Sequence, residues 1–462
     1  MIIIPHRRYL EAQVLVLLLL VVLILHPPVF TLAQARIWTR TYGGEGYDIA
    51  RALIQTTDGG YALAGETSSY GAGSTDCWLV KTDSQGIMEW NQTYGGKQED
   101  IARALIQTTD GGYALAGETS SYGAGSTDCW LVKTDSQGIM EWIRTYGGKQ
   151  DDYASALLQT TDGGYALAGW TKSSGAGGYD FWLVKTDSQG ILQWSQTYGR
   201  WRNEYAWALL QTTDGGYALA GDISAISPDV DYFAAWLVKT DSWGIPQWNQ
   251  TYGGEDYDTA RALIQTSDGG YALGGETASY GTGFNEFWLV KTDSQGIFQW
   301  NQTYGGAKVD GAQALIQTAD EGYALGGLTE SYGAGSTDYW LVKTDSNGIP
   351  QWSQTYGGEK HESAHALIQT SDGGYALAGR TASYGAGGLD YWLVKTEGRN
   401  FSITSTGTET ITSPRSEGIN FTITEVIDFL IPILWYLVIV VGGSSVGLLA
   451  SRLVYRRYSK WR

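Results

Sequence analysis

ALIQTTDGGYALAGETSSYGAGSTDCWLVKTDSQGIMEWNQTYGG, from Ala52 to Gly96, is the stretch that decides the fold. It breaks into short β-forming runs separated by turn residues. Strand A is expected over about Ala50–Thr56, strand B over Tyr61–Thr67, strand C over Cys77–Thr82 and strand D over Ile87–Tyr94. Thr57-Asp58-Gly59-Gly60 reads as a tight hairpin, because Asp-Gly and Gly-Gly tolerate positive φ. Asp83-Ser84-Gln85-Gly86 reads as a second short turn, and no helical period competes.

Working outward, the same text recurs. ALIQT or ALLQT starts at Ala52, Ala104, Ala156, Ala208, Ala262, Ala314 and Ala366, at a spacing of 52 residues except for 54 between the fourth and fifth copies. A period near 50 with four strands per copy predicts a β-propeller. The opening segment Ile37-Trp38-Thr39-Arg40-Thr41-Tyr42 matches strand D, and the seventh copy stops at Trp392-Leu393-Val394-Lys395-Thr396 without one. The expected fold is therefore all-β: a seven-bladed propeller of four-stranded blades over 36–397, its last blade closed by the N-terminal strand. Fourteen of the 20 Trp fall at two repeat positions, Trp78 and Trp90 and their counterparts, which suits packing between neighbouring blades.

Composition agrees. The chain has 462 residues, 63 Gly, 8 Pro, 31 Tyr and 13% aromatic residues. That is too much aromatic surface for a disordered chain. A net charge of −18 argues against a nucleic-acid partner. Cys77 and Cys129 occupy a position filled elsewhere by Phe181, Phe287, Tyr339 and Tyr391, so they read as packing residues rather than a disulfide.

The assembled repeat, DGGY…AG…G…D.WLVK.D..G…W…YGG, resembles that of uncharacterised cell-surface β-propellers of bacteria and archaea. The fragment T-D-S-x-G-I-x-x-W is similar to the Trp-docking motif of quinoprotein and related propellers. The resemblance covers residues 37–397 and implies a secreted, envelope-tethered propeller with no settled activity.

The flanks fit such a tether. Residues 1–35 read as a signal peptide, with Arg7 and Arg8 ahead of the apolar run Val14–Leu25 and a small-residue cleavage pattern at Ala33-Gln34-Ala35. Residues 398–428 read as a Ser/Thr-rich stalk. Phe429–Ala450 carries no charge and would span about 33 Å as a helix, enough for one transmembrane segment. Gly443 and Gly447 offer a dimer face on that helix. The basic tail 451–462 is expected to stay cytoplasmic, leaving the propeller outside. Asn91, Asn249, Asn301, Asn400 and Asn420 lie in N-x-S/T sequons.

His361-Glu362-Ser363-Ala364-His365 spells H-E-x-x-H, but it falls on strand A, where its two histidines would stand about 13 Å apart, too far to share a zinc. A repeated acid precedes strand A: Asp48, Asp100, Asp152, Glu204, Asp258, Asp310 and Glu362. These read either as turn acceptors or as a channel ring able to hold Ca²⁺. No other cofactor or metal is expected. Recognition is expected on the face carrying the D–A and B–C loops, which are longer and more varied. Copy four departs most, with Arg200, Trp201 and Arg202 in its D–A loop and Trp207 where other copies have Arg51, Arg103 or Arg261. These four are expected to form a contact site. Tyr70, Tyr122, Tyr280, Tyr332 and Tyr384 offer rings for stacking on sugars. The expected function is a membrane-anchored extracellular binding or adhesion module for a surface protein or glycan. The alternative is a propeller enzyme or cofactor protein, hydrolase or quinoprotein-like.

Overall fold

The computed structural model describes residues 37–224, 232–282 and 284–396. It contains 28 strands, numbered here in chain order, in seven four-stranded antiparallel sheets. Blade 1 is β2 (Asp48–Gln55), β3 (Tyr61–Thr67), β4 (Asp76–Thr82) and β5 (Met88–Tyr94). Strand A thus starts two residues earlier than the sequence suggested, and the repeat acid is its first residue. The last blade joins β26 (Glu362–Gln369), β27 (Tyr375–Thr381) and β28 (Asp390–Thr396) to β1 (Ile37–Tyr42). β1 pairs with β28 in the register Trp38↔Lys395 and Thr41↔Trp392, so the N-terminal strand does close the ring.

The first strands of the blades surround the axis, each touching the first strand of both neighbours. Those after β2 are β6 (Asp100–Gln107), β10 (Asp152–Gln159), β14 (Glu204–Gln211), β18 (Asp258–Gln265) and β22 (Asp310–Gln317), and β26 returns to β2. A belt of hydrogen bonds follows the same circle. The Gln107 side chain accepts from Thr57 N–H at 2.9 Å, and the Gln55 side chain completes the belt by accepting from Ser371 N–H at 2.9 Å.

Blade faces are apolar and pack on each other. The Trp of each fourth strand meets a Tyr of the next blade edge-on, as Trp38 meets Tyr61 at 5.9 Å and Trp90 meets Tyr113 at 5.7 Å. Tyr42 Oη donates to Gly86 O at 2.7 Å across the same seam. Gly86 has φ 72°, and a Cβ there would lie 2.5 Å from the Trp38 ring, so the turn needs glycine on both counts.

The A–B turns do more than reverse the chain. Asp58 accepts from Thr56 Oγ1 and Gly60 N–H, and pairs with the buried Lys81 at 2.8 Å. All seven blades repeat this Lys–Asp pair, from Lys133–Asp110 to Lys395–Asp372. Partial burial alone would raise the Asp58 carboxyl. The bonds from Lys81, Thr56 and Gly60 outweigh it and hold the group at about 2. Cys77 and Cys129 are buried free thiols in the inter-blade core.

His361 and Glu362 enter β26 as extended chain, so H-E-x-x-H forms no helical metal face. The expected signal peptide, stalk, transmembrane segment and tail, with Asn400 and Asn420, lie outside the described residues. Among the described residues no helix is long and apolar enough to cross a membrane.

Candidate functional site

The repeat acids are turn organisers. Asp48 is fully buried and accepts from Thr67 Oγ1, from Ser69 Oγ at 2.7 Å and from Gly44 N–H at 2.9 Å. Asp100, Asp152, Asp258 and Asp310 repeat the pattern, and Glu362 accepts from Thr381, Ser383 and Gly358. These carboxylates accept from hydroxyl and amide donors of their own loops, the turn-acceptor arrangement. Among the described residues no group of three or more acidic, His or Cys side chains could hold a metal.

Glu204 is the exception. Its Thr partner is replaced by Ile223, so among the described residues Oε2 accepts from Arg200 N–H at 3.1 Å and the buried Oε1 has no partner. Burial, reinforced by Asp180, pushes this carboxyl up to about 7.

The varied residues instead gather where each first strand carries a β-bulge. In β2 the register jumps from Ala50 to Ala52, and Arg51 is the extra residue. The same jump in the other blades leaves Arg103, Ser155, Trp207, Arg261, Gln313 and His365 unpaired in the ladder. These side chains reach across to neighbours around the axis. Ser155 Oγ donates to Ala206 O of the next blade at 2.5 Å, and Gln313 Nε2 to Glu276 of the previous one at 3.0 Å. Seven side chains of five kinds, three of them Arg, thus form a girdle a few residues inside the loop-bearing mouth of the channel.

Two arcs of the girdle differ. Through blades 3 to 5 it is aromatic. Trp170 lies 4.7 Å from Trp207, 5.5 Å from Tyr205 and 5.2 Å from Tyr153, with Tyr179, Phe233 and Tyr257 continuing the contacts towards the loops. Trp207 Nε1 donates to Asp222 at 2.6 Å, and the Arg261 guanidinium lies 4.1 Å over the Trp207 ring, a cation–π contact. Asp222 is fully buried, and burial carries its carboxyl up to about 6 against the pull of Arg261 and Trp207. Through blades 7, 1 and 2 the girdle carries three guanidiniums, Arg380, Arg51 and Arg103, around the His365 ring. Arg51 pairs with Glu66 at 2.6 Å, and Arg103 holds Glu118 through both Nε and Nη2. Arg103 also lies 6.0 Å over Trp170 and so joins the two arcs. Burial and the guanidiniums of Arg51, Arg380 and Arg103 keep His365 well below the usual imidazole range.

The predicted contact site splits. Trp207 belongs to the girdle, where it touches Trp170, Asp222 and Arg261. Trp201 sits on the D–A loop, 61% exposed, with the Arg202 guanidinium 4.6 Å over its ring. The structure does not gather Arg200, Trp201, Arg202 and Trp207 into one patch through the contacts described. The recurrent loop tyrosines are structural clips: Tyr70 Oη donates to Gly43 O at 2.9 Å while its ring lies 5.2 Å from Trp78. Asn91 and Asn249 are exposed on fourth strands, and their side-chain oxygens accept from Trp78 and Trp236 Nε1. Asn301, half-buried, does the same for Trp288.

No protein-family model matches the chain. Regulatory protein FlaEY of Caulobacter vibrioides is 25% identical over 266 residues, which is 50% of this chain and 27% of that protein. The chain therefore covers about a quarter of that relative's length. Among solved structures, the Neurospora crassa Pan2 WD40 domain is 11% identical, with 76% of this chain and 89% of that one covered at a TM-score of 0.48. A fungal alcohol oxidase in complex with copper is 12% identical, with 80% and 77% covered at 0.47. These distant likenesses carry no argument about activity.

Proposed function

We propose that the chain is a membrane-anchored extracellular propeller of the prokaryotic surface type, acting as a binding or adhesion module for a surface protein or glycan. The signal-like 1–35, the apolar 429–450 and the basic tail support the tether and its orientation. One observation carries the binding assignment. The chain repeats its turn residues almost unchanged in every blade, yet spreads Arg, Ser, Trp, Gln and His over the seven bulge positions, and those positions converge at one mouth. Loops and inner rims on a rigid scaffold are where recognition concentrates.

The test is an array of glycans and surface proteins probed with the full chain in lipid nanodiscs. Specific binding is expected, weakened at least tenfold by Trp207→Ala combined with Arg103→Gln. Binding that ignores both changes removes the girdle from the reading. Protease digestion of intact cells should reach the propeller and spare the tail; the opposite result overturns the orientation.

A further inference from the structure

The girdle has a rule and one inversion of it. In blades 1 and 2 the bulge cation is answered by a carboxylate on the second strand of the same blade: Arg51 by Glu66 and Arg103 by Glu118. In blade 5 the attraction of Arg261 opposes the upward shift of Glu276. Blade 7 places His365 at the bulge and Arg380 where the acid should be. Among the described residues no carboxylate forms an ion pair with Arg380. Its charged neighbours are Arg51, which repels it, and Glu66, which attracts it. The buried Nε of Arg51 is also without a partner. Three guanidiniums, Arg380, Arg51 and Arg103, thus face two carboxylates, Glu66 and Glu118. A half-buried guanidinium whose nearest carboxylate, Glu66, is already paired with Arg51 is costly, and a protein with net charge −18 has no shortage of acids to place there.

We propose that the mouth binds the carboxylate of an anionic ligand at Arg380, beside the His365 ring and next to Arg51. The inference rests on the binding reading above and names the chemistry of its ligand. The surplus is one positive charge, which a monoanion cancels and a phosphate dianion overshoots while His365 is neutral. Planar guanidinium forks match a carboxylate. The arc of Arg103, Trp170 and Tyr153 begins next to the site, so a ring attached to the carboxylate would meet aromatic surface. The carboxylate could belong to a free small acid or be carried on a sugar ring as a uronate.

The experiment uses the full chain in detergent micelles with ¹³C-labelled histidine, titrated with sodium acetate, sodium glucuronate, glucose and sodium chloride. A bound anion offsets the guanidiniums around His365, so its ring signals should shift saturably and its titration midpoint should rise. Exposed His361 serves as the internal control. Glucose and chloride should leave His365 where it is. Arg380→Gln should weaken the acetate and glucuronate responses at least tenfold, and Arg380→Lys should retain part of them, each variant checked for an unchanged Tm. Equal affinity for acetate and glucuronate identifies a simple carboxylate site; tenfold tighter glucuronate identifies a uronate site. A His365 response no larger than that to chloride, or one that survives Arg380→Gln, overturns the proposal. If array binding persists and still depends on Trp207 and Arg103 while no acid moves His365, the anion site falls and the binding module stands.

Discussion

The turn face and the loop-bearing mouth are built from the same repeat and obey opposite rules. At the turns, seven buried lysines hold seven aspartates in one geometry, and any blade could stand for any other. At the mouth, the bulge carries Arg, Arg, Ser, Trp, Arg, Gln and His in succession. Repetition marks what each sheet needs to fold and dock on its neighbour. Variation marks positions that folding leaves free, and there the blades are no longer equivalent.

The sharpest way to break this comparison is within the docking seams. Blades 1 and 2 are identical from Asp48–Trp90 to Asp100–Trp142, yet Trp78 packs 4.7 Å from Tyr391 whereas Trp130 shares its cluster with Cys77. Either Trp→Ala change should cost about 3–5 kcal/mol in denaturant unfolding. Trp78→Ala should cost more, by about 0.5–1.5 kcal/mol for the lost aromatic pair. Equal costs would mean that neighbours do not differentiate identical copies.

In the girdle, Arg261→Met removes the cation beside buried Asp222 and Glu276 and should cost about 3 kcal/mol by thermal unfolding at pH 8. The loss should shrink as pH falls below about 6, where Asp222 takes up a proton. A pH-independent loss would deny that Asp222 is ionised in the folded protein at pH 8.

Glu204 gives the next effect down. Its folded carboxyl, at about 7, holds a proton that the unfolded chain releases near its ordinary value of 4.5. Stability from this group is complete at low pH and is lost as pH rises through about 7. Glu204→Gln should therefore stabilise the protein at pH 8, on the order of 1–3 kcal/mol, and do little at pH 4. The turn aspartates work in the other direction. Held at about 2, Asp58, Asp110, Asp162, Asp214 and Asp268 should lose their contribution together as pH falls from about 4 towards 2. An acid unfolding curve that is unchanged by Lys133→Met would sink that account. The smallest effect belongs to Trp201→Ala, within about 0.5 kcal/mol by the same unfolding assay, because the ring is exposed.

The fold was legible because its determinants recur. Spacing, turn glycines and the orphan strand-D text at Ile37–Tyr42 each appear as letters, and strands B and D of blade 1 fall within one residue of expectation. Of the girdle, the letters showed only that Trp207 shares a column with Arg51, Arg103 and Arg261. A bulge leaves no letter of its own: period-two alternation hides that the residue between the two alanines of D-x-A-x-A escapes the ladder. The column running Glu66, Glu118, Trp170, Asp222, Glu276, Leu328 and Arg380 gains meaning only once strand pairing sets it beside that bulge. For the acids before strand A the letters left a turn acceptor and a channel ring as alternatives, because the Thr, Ser and Gly donors that bond Asp48 come from segments far apart in its repeat.

The seam between β1 and β28 sets a schedule for synthesis. Ile37–Tyr42 leaves the ribosome before any blade exists, and its partner Asp390–Thr396 leaves after all the others. Until then the last sheet shows a bare edge able to recruit another chain. Moving the break to the loop before β2, so that residues 37–42 directly follow β28, would make this pairing local. Such a permutant should refold faster from dilute denaturant and aggregate less.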